Sequence, residues 1–318
     1  MKFKKLLAVC MTAAMFLSVG GVASAATASE GDASPAEQQT VLSENTAEPK
    51  THAANGTCGD SMTWSYNEST GVLTIKGSGE MTSHPWDDYK DTIGTVSFSG
   101  NITSICKDAF SGCNNIESIT IPASVVVIDT GAFEGCENLD TVTFAANSNL
   151  TTLGPDYYDT GVFQDCINLG EIVLPDKLTS VGYCSFSGCE NLEKITIGKN
   201  VKYIRPYSFA GCRNLKKVSI PDSVESIGYN AFYACSKLTS VALGKNLQSI
   251  GSSSFYECTS LEKIVIPASV TDIYSEAFKE DTSLTSVTFE ANSNLATLGT
   301  DDYGEGVFQN CTGLKSIA

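Results

Sequence analysis

The chain has 318 residues, with 36 Asp and Glu against 20 Lys and Arg and a formal net charge of -16. Acidity of this size excludes nucleic acid as the expected partner, because phosphate recognition needs a basic face. Only two histidines occur, so a histidine general base or a histidine-rich metal centre has almost no material to draw on.

At the amino terminus Lys2, Lys4 and Lys5 precede an apolar run from Leu6 to Val19 and the small residues Ala23, Ser24 and Ala25. A basic start, an apolar core too short to span a bilayer and small residues at the cleavage positions predict a signal peptide over residues 1–25, cut after Ala25. Its removal takes away three lysines and no acid, moving the formal net charge from -16 to -19. Residues 26–56 are Ala, Ser, Glu, Gln, Thr and Pro with hardly a large apolar side chain. Such a segment cannot bury enough surface to offset about 1–2 kcal/mol per residue of backbone ordering, and a disordered linker is expected. No later stretch resembles a membrane span.

Residues 57–99 carry Cys58-Gly59-Asp60, Trp64, the strand-like Val72 to Ile75, Pro85-Trp86 and Val96 to Phe98. They fit no later period and hold both tryptophans, which predicts an amino-terminal capping segment over the first open edge of the repeated units beyond residue 99.

From residue 100 to 318 one phenylalanine recurs: Phe110, Phe133, Phe163, Phe186, Phe209, Phe232, Phe255, Phe278 and Phe308. The spacings are 23, 30, 23, 23, 23, 23, 23 and 30. In one unit Phe209, Cys212 and Leu215 share a side of a tight turn, expected to be of 3₁₀ type. Val218 and Ile220 then alternate with Lys217 and Ser219, the period of a strand with one buried face. Pro221 ends that strand, and Val224 and Ile227 return the chain to Gly228. One unit is one coil, and neighbouring coils must stack to enclose their apolar side chains, their strands pairing in parallel at about 4.8 Å. The fold class expected is a β-rich solenoid, a right-handed stack of coils with a parallel β-sheet and short 3₁₀ or helical turns. The pattern breaks off inside the ninth unit, which suggests a truncated array with further repeats or an anchor beyond Ala318.

Units such as Ala109-Phe110-Ser111-Gly112-Cys113-Asn114-Asn115-Ile116, followed by Ile119-Thr120-Ile121-Pro122, resemble the BspA-type leucine-rich repeats of bacterial and some protist surface proteins. The resemblance covers about Cys58 to Ala318 and makes the solenoid a leucine-rich-repeat one. It implies export to the medium or the cell surface and a role in adhesion, with an extracellular protein or glycan, such as a host matrix protein, as the ligand.

Cysteines at one slot, from Cys113 to Cys311, stack with side chains pointing the same way, a poor geometry for bridges, so buried free thiols are expected. In the eighth unit that slot holds Asp281, expected as a small hydrogen-bonding residue facing loop amides. The two 30-residue units carry matching insertions. One contains Asp156, Tyr157, Tyr158 and Asp159; the other contains Asp301, Asp302 and Tyr303. Insertions in solenoids emerge as surface loops, and tyrosines beside acids are candidate contact points. The second candidate surface is the outer face of the sheet, where small residues such as Ser118, Thr141 and Ser240 are interrupted by Lys194, Lys217 and Lys263. Neither insertion shows a complete calcium-loop ligand sequence, and no Cys-x-x-Cys pair occurs. No metal, cofactor or enzyme activity is expected. The rival to a binding module is a structural spacer or cell-wall scaffold presenting another domain.

Overall fold

The computed structural model describes residues 54–154, 156–299 and 306–318. The expected signal peptide, the expected linker as far as residue 53, and Asp301, Asp302 and Tyr303 of the second insertion lie outside the described residues. Strand β1 (Asn55–Gly59) begins ahead of Thr57 and pairs antiparallel with β2 (Met62–Asn67), which pairs antiparallel with β3 (Val72–Glu80). The last then runs parallel to the long strand β4 (Thr95–Ile105). Gly77 and Gly100 face each other in this pair, both with positive φ, and a Cβ on Gly100 would collide with the Gly77 carbonyl. The end of β4 pairs with Val127–Ile128 of the next coil, joining the strands β1–β4 to the repeats without a break.

The repeats are stacked coils, with a parallel sheet on one side built from strands such as Ser118–Ile121, Thr141–Phe144, Lys194–Thr196 and Lys217–Ser219. Their apolar residues alternate inward as the period requires: Val218 is buried between exposed Lys217 and Ser219. Two-residue strands, including Tyr203–Ile204 and Ser226–Ile227, form a second parallel sheet on the return side. Between the sheets lies the phenylalanine ladder. From Phe110 to Phe308 consecutive rings stack with centroids 5.1–5.5 Å apart and planes within 17°. At the amino-terminal end the Trp86 ring stacks on Phe110 at 5.8 Å, and its Nε1 donates to the Ala109 carbonyl at 2.8 Å.

The turn that carries each phenylalanine differs from the expected 3₁₀ type. In a 3₁₀ helix every N–H points back along the axis to residue i−3. Here only alternate residues do so: Ser111 donates to Asp108 and Cys113 to Phe110, whereas Asp108, Phe110 and Gly112 donate to Thr130, Ala132 and Glu134 of the next coil at 2.8–3.0 Å. Left-handed residues two before and two after the phenylalanine swing those N–H groups outward, as at Asp108 (φ 55) and Gly112 (φ 70), or Tyr207 (φ 57) and Gly211 (φ 75). A non-glycine residue there costs about 1–2 kcal/mol, and each cross-coil hydrogen bond returns about 0.5–1.5 kcal/mol. The turn is therefore a third hydrogen-bonded ladder between coils. Among the described residues the one 3₁₀ helix is Asp87–Tyr89.

The coils are also grouped in pairs. Strands Thr141–Phe144, Lys194–Thr196 and Ser240–Ala242 each pair over three or four residues with the strand before them. Towards the strand after, the register is reduced to Thr141↔Glu171 and Lys194↔Lys217, and the sheet breaks between Ser240–Ala242 and Lys263–Ile266. The cause is in the sequence. Ala145 and Glu290 donate their N–H to the Ile121 and Ile266 carbonyls of the preceding coil at 3.0 Å. The same slot in the coils that begin each pair is Pro175, Pro221 or Pro267, which has no N–H to give. Alternate coils carry Gly198 or Gly244 there, against which the Pro175 or Pro221 carbonyl packs too closely for a Cβ.

Because Phe209 is fully buried between Phe186 and Phe232, Phe209→Ala is expected to cost about 3–5 kcal/mol of unfolding free energy. Urea titration of the purified variant measures it, and a loss below about 1 kcal/mol would show that the ladder is not the core.

Candidate functional surface

The first insertion is divided by the fold. Nine residues separate Phe144 from Leu153, against seven from Ile121 to Ile128 in a short coil; ten separate Leu153 from Phe163, against five from Ile128 to Phe133. Two extra residues thus precede the return strand and five come after it. The second return-side sheet breaks at this point, between Thr152–Leu153 and Ser180–Val181.

The five-residue part folds back over the turn side and is tied at both ends. Asp156 accepts from Arg205 Nε at 3.1 Å, and Asp159 pairs with Lys107 Nζ at 3.4 Å, so the loop is anchored to coils on either side of it. The Asp159 contact contributes to holding the Lys107 ammonium above its usual range, against the opposing effect of burial. Tyr158 lies edge-on to Tyr183 and Tyr207, at 6.3 and 6.0 Å. Of the loop residues nominated from the sequence, Asp156, Tyr158 and Asp159 are engaged by the chain itself, and Tyr157, 64% exposed, presents an outward ring.

On the sheet face Lys194 reaches Glu171 Oε2 at 3.3 Å on the adjoining strand, and Lys217 follows Lys194 in register. Lys263 occupies the same slot two coils further on. The positive row expected from the sequence is thus partly neutralised at Lys194. Similar pairs of 23-residue separation, Lys199 with Asp176 and Lys245 with Asp222 at 2.6 Å, hold both aspartates below the usual carboxylate range. Two outward residues escaped the sequence reading: Val173 is 63% exposed and Val265 50%. Their signal was the alternation itself, since Ile172-Val173-Leu174 and Ile264-Val265-Ile266 place a valine at the solvent slot. Where the seam before Pro175 opens, a groove of about 660 Å³ forms, lined by Phe144, Val173, Leu174, Pro175, Glu171 and Lys177.

Two further ladders follow the coil period. Asn168 donates to Asn138, Asn191 to Asn168 and Asn214 to Asn191, at 3.0–3.4 Å, and Lys237 ends the row on Asn214 Oδ1. At the cysteine slot the thiols are free and buried, and those from Cys136 onward donate to the phenylalanine carbonyl of the preceding coil: Cys136 to Phe110 at 3.1 Å, Cys212 to Phe186 at 3.2 Å, Cys311 to Phe278 at 2.9 Å. This explains a thiol there in place of an apolar residue of the same size. Asp281 is fully buried at this slot with the Cys258 backbone amide beside its carboxyl, although neither carboxylate oxygen reaches full hydrogen-bond geometry. Burial pushes its pKa up to about 9, offset only in part by the backbone at Cys258. At neutral pH it is held as the uncharged acid.

His84 Nδ1 lies 2.9 Å from Asp87 Oδ1 and shares a shallow pocket with Cys106. Burial, reinforced by Asp129 and Asp108, pushes the Cys106 thiol up to about 12, so the thiolate a nucleophile needs is suppressed. Among the described residues no cluster of three or more His, Cys, Asp or Glu is placed to hold a metal ion, and no helix is long and apolar enough to cross a membrane.

Stacked coils with parallel strands, an inward aromatic ladder and a hydrogen-bonded turn in each repeat define a leucine-rich-repeat solenoid. Residues 88–216, 156–285 and 202–318 match the model of the BspA type leucine rich repeat region, in six copies, and the chain belongs to that family. Among solved structures it is similar to a leucine-rich repeat protein from Eubacterium ventriosum, with 24% identity over 83% of this chain and 84% of that one and a TM-score of 0.45. It is also similar to a leucine-rich repeat protein from Bacteroides ovatus, with 23% identity over 81% and 70% and a TM-score of 0.49. A leucine rich cell surface protein from Faecalibacterium prausnitzii matches at 19% identity over 81% and 93%, with a TM-score of 0.32. No curated protein matches the chain.

Asp281 yields a prediction in pH. The folded state keeps its proton up to about 9, whereas the unfolded chain releases it near 3.8. Between these values the folded state binds one proton more, so its contribution is fully present below about 4 and is lost as pH rises towards 9, at up to about 1.4 kcal/mol per pH unit. Asp281→Cys, which restores the slot, is expected to stabilise the chain at pH 7 and flatten this slope in urea titrations. An unchanged slope would show that Asp281 is ionised in the fold.

Proposed function

We propose that the protein is a secreted or surface-attached binding module that mediates adhesion through contact with an extracellular protein or glycan. The observation that carries this reading is the sheet face: a row of outward side chains held on a rigid, regularly spaced scaffold, with Val173 exposed beside the groove at the first seam and Val265 exposed four coils further on. Outward valines on a sheet with one buried face lose apolar contact to water, and a partner that covers them recovers about 25 cal/mol per Å². Lys217 and Lys263 add positive points to an acidic molecule and suit an acidic protein or glycan. Tyr157 supplies a separate outward contact on the turn side, and Tyr303 is the corresponding candidate in the sequence of the second insertion. Export rests on the leader-like first 25 residues, and the strands ahead of Phe110 act as the cap of the stack.

Binding of the full chain to immobilised matrix proteins and glycans tests the proposal, beside a variant carrying Val173→Glu and Val265→Glu. Saturable binding that the folded variant loses is the expected result. No binding by the folded wild type to any member of the panel would favour the spacer.

A further inference from the structure

Tyrosine is unevenly placed in this chain. Of the twelve tyrosines, six form a strip on the turn side of the solenoid. Tyr158 of the insertion lies edge-on to Tyr183 and Tyr207, and Tyr207 is edge-on to Tyr229 at 5.3 Å. Tyr233 stacks on Tyr256 at 5.2 Å, and Tyr207 is near enough to Tyr233 for its charge to bear on that phenol. The strip runs from the coil of Phe163 to that of Phe255, about 19 Å at strand spacing, and its rings are partly exposed.

The fold does not call for these rings. Tyr207 sits at the left-handed position two before the phenylalanine, which other coils fill with Asp108, Gly131, Asn230 or Ser253. Tyr233 and Tyr256 occupy the slot after the phenylalanine, where the same backbone carries Ser111, Gln164 or Ser187. Partly exposed tyrosines that packing does not require are typical of the centre of a protein contact.

The chemistry around the rings selects the partner. A cation already lies on a ring of the strip, Lys279 at 5.5 Å from the Tyr256 centroid, and on the return-side strand Arg205 lies 4.8 Å from that of Tyr203. Carboxylates crowd the far end, where burial and the like charge of Glu280 push Glu257 upward against the pull of Arg213, and both acids bear on Tyr256. Tyr256 is covered by Tyr233 on one face and approached by Lys279 on the other, so an incoming cation would relieve that repulsion while its aliphatic stem lies along the exposed ring edges.

We propose that the tyrosine strip is the docking surface for a basic polypeptide segment, whose arginine and lysine side chains lie against Tyr207, Tyr233 and Tyr256 and pair with Glu257 and Glu280. This rests on the binding-module reading and gives it a second surface, opposite in charge preference to the sheet face. The net charge of -16 steers such a segment towards the protein but cannot place it.

The test is fluorescence anisotropy of labelled deca-arginine with the full chain at about 0.15 M salt. Three folded double variants accompany the wild type: Tyr233→Ser with Tyr256→Ser, Glu257→Gln with Glu280→Gln, and the charge-matched Glu117→Gln with Asp140→Asn away from the strip. Saturable binding that weakens roughly tenfold or more in each strip variant, and stays near wild type in the third, is expected. Equal weakening in the second and third variants, no loss in the tyrosine variant, or no wild-type binding would overturn the proposal. So would binding of a neutral glucan that needs the tyrosines while deca-arginine does not bind. A matrix ligand bound equally by wild type and strip variants, with deca-arginine indifferent to the rings, would remove the strip and leave adhesion standing. Strip-dependent deca-arginine binding with no matrix ligand would do the reverse.

Discussion

The structure depends on the stacking of one phenylalanine per coil. Rings stacked 5.1–5.5 Å apart lie within about 0.7 Å of the spacing that parallel strand pairing imposes. The same translation therefore satisfies the aromatic core, the two sheets and the turn ladder together. Once it is fixed, every slot in the coil becomes a column. The cysteine column donates to phenylalanine carbonyls, the asparagine column bonds to itself, and acids and lysines 23 residues apart become neighbours. A sequence that repeats the phenylalanine must then solve the same few local problems in each unit, and the eighth unit, with Asp281 at the cysteine slot, buries a carboxyl there.

Two periods act on this stack and they disagree. The ring ladder is uniform from coil to coil, whereas the sheet closes in pairs because Pro175, Pro221 and Pro267 withhold an N–H. Magnitudes decide which governs. A seam loses one to a few hydrogen bonds at about 0.5–1.5 kcal/mol each, while the ring stack crosses it unbroken and each buried phenylalanine is worth about 3–5 kcal/mol on truncation. The seams therefore shape the surface, opening the groove beside Val173, without dividing the core.

Much of this was legible in the sequence because core slots admit little chemistry. A phenylalanine every 23 or 30 residues, a thiol three residues later and a strand of period two required only the rule that apolar side chains face inward. The pairing of coils was also written there, in the alternation of Pro175, Gly198, Pro221 and Gly244, but a single-unit template hides a two-unit period. The left-handed turn positions were not legible, because Asp108, Cys184 and Tyr207 share no conformational preference that marks them; only the ladder they serve explains them. Nor did any local signal tie Asp156 to Arg205 or Asp159 to Lys107, 49 and 52 residues away. The insertion looked like a free loop because its partners lie on other coils. Lys194 and Glu171, by contrast, are one period apart, and the repeat itself predicted their meeting.

Six consecutive coils carry their own reporter of opening, a buried ladder thiol three residues after the phenylalanine of each unit. The most direct test of a continuous aromatic core is therefore native-state thiol labelling of Cys136, Cys166, Cys189, Cys212, Cys235 and Cys258 at increasing urea, resolved by mass spectrometry. If the ring stack governs, these six become reactive with one common urea dependence, across seams as well as within pairs. Labelling in steps that coincide with the seams, with Cys166 and Cys189 exposed together while Cys212 and Cys235 stay protected, would contradict it and show that the sheet holds the solenoid.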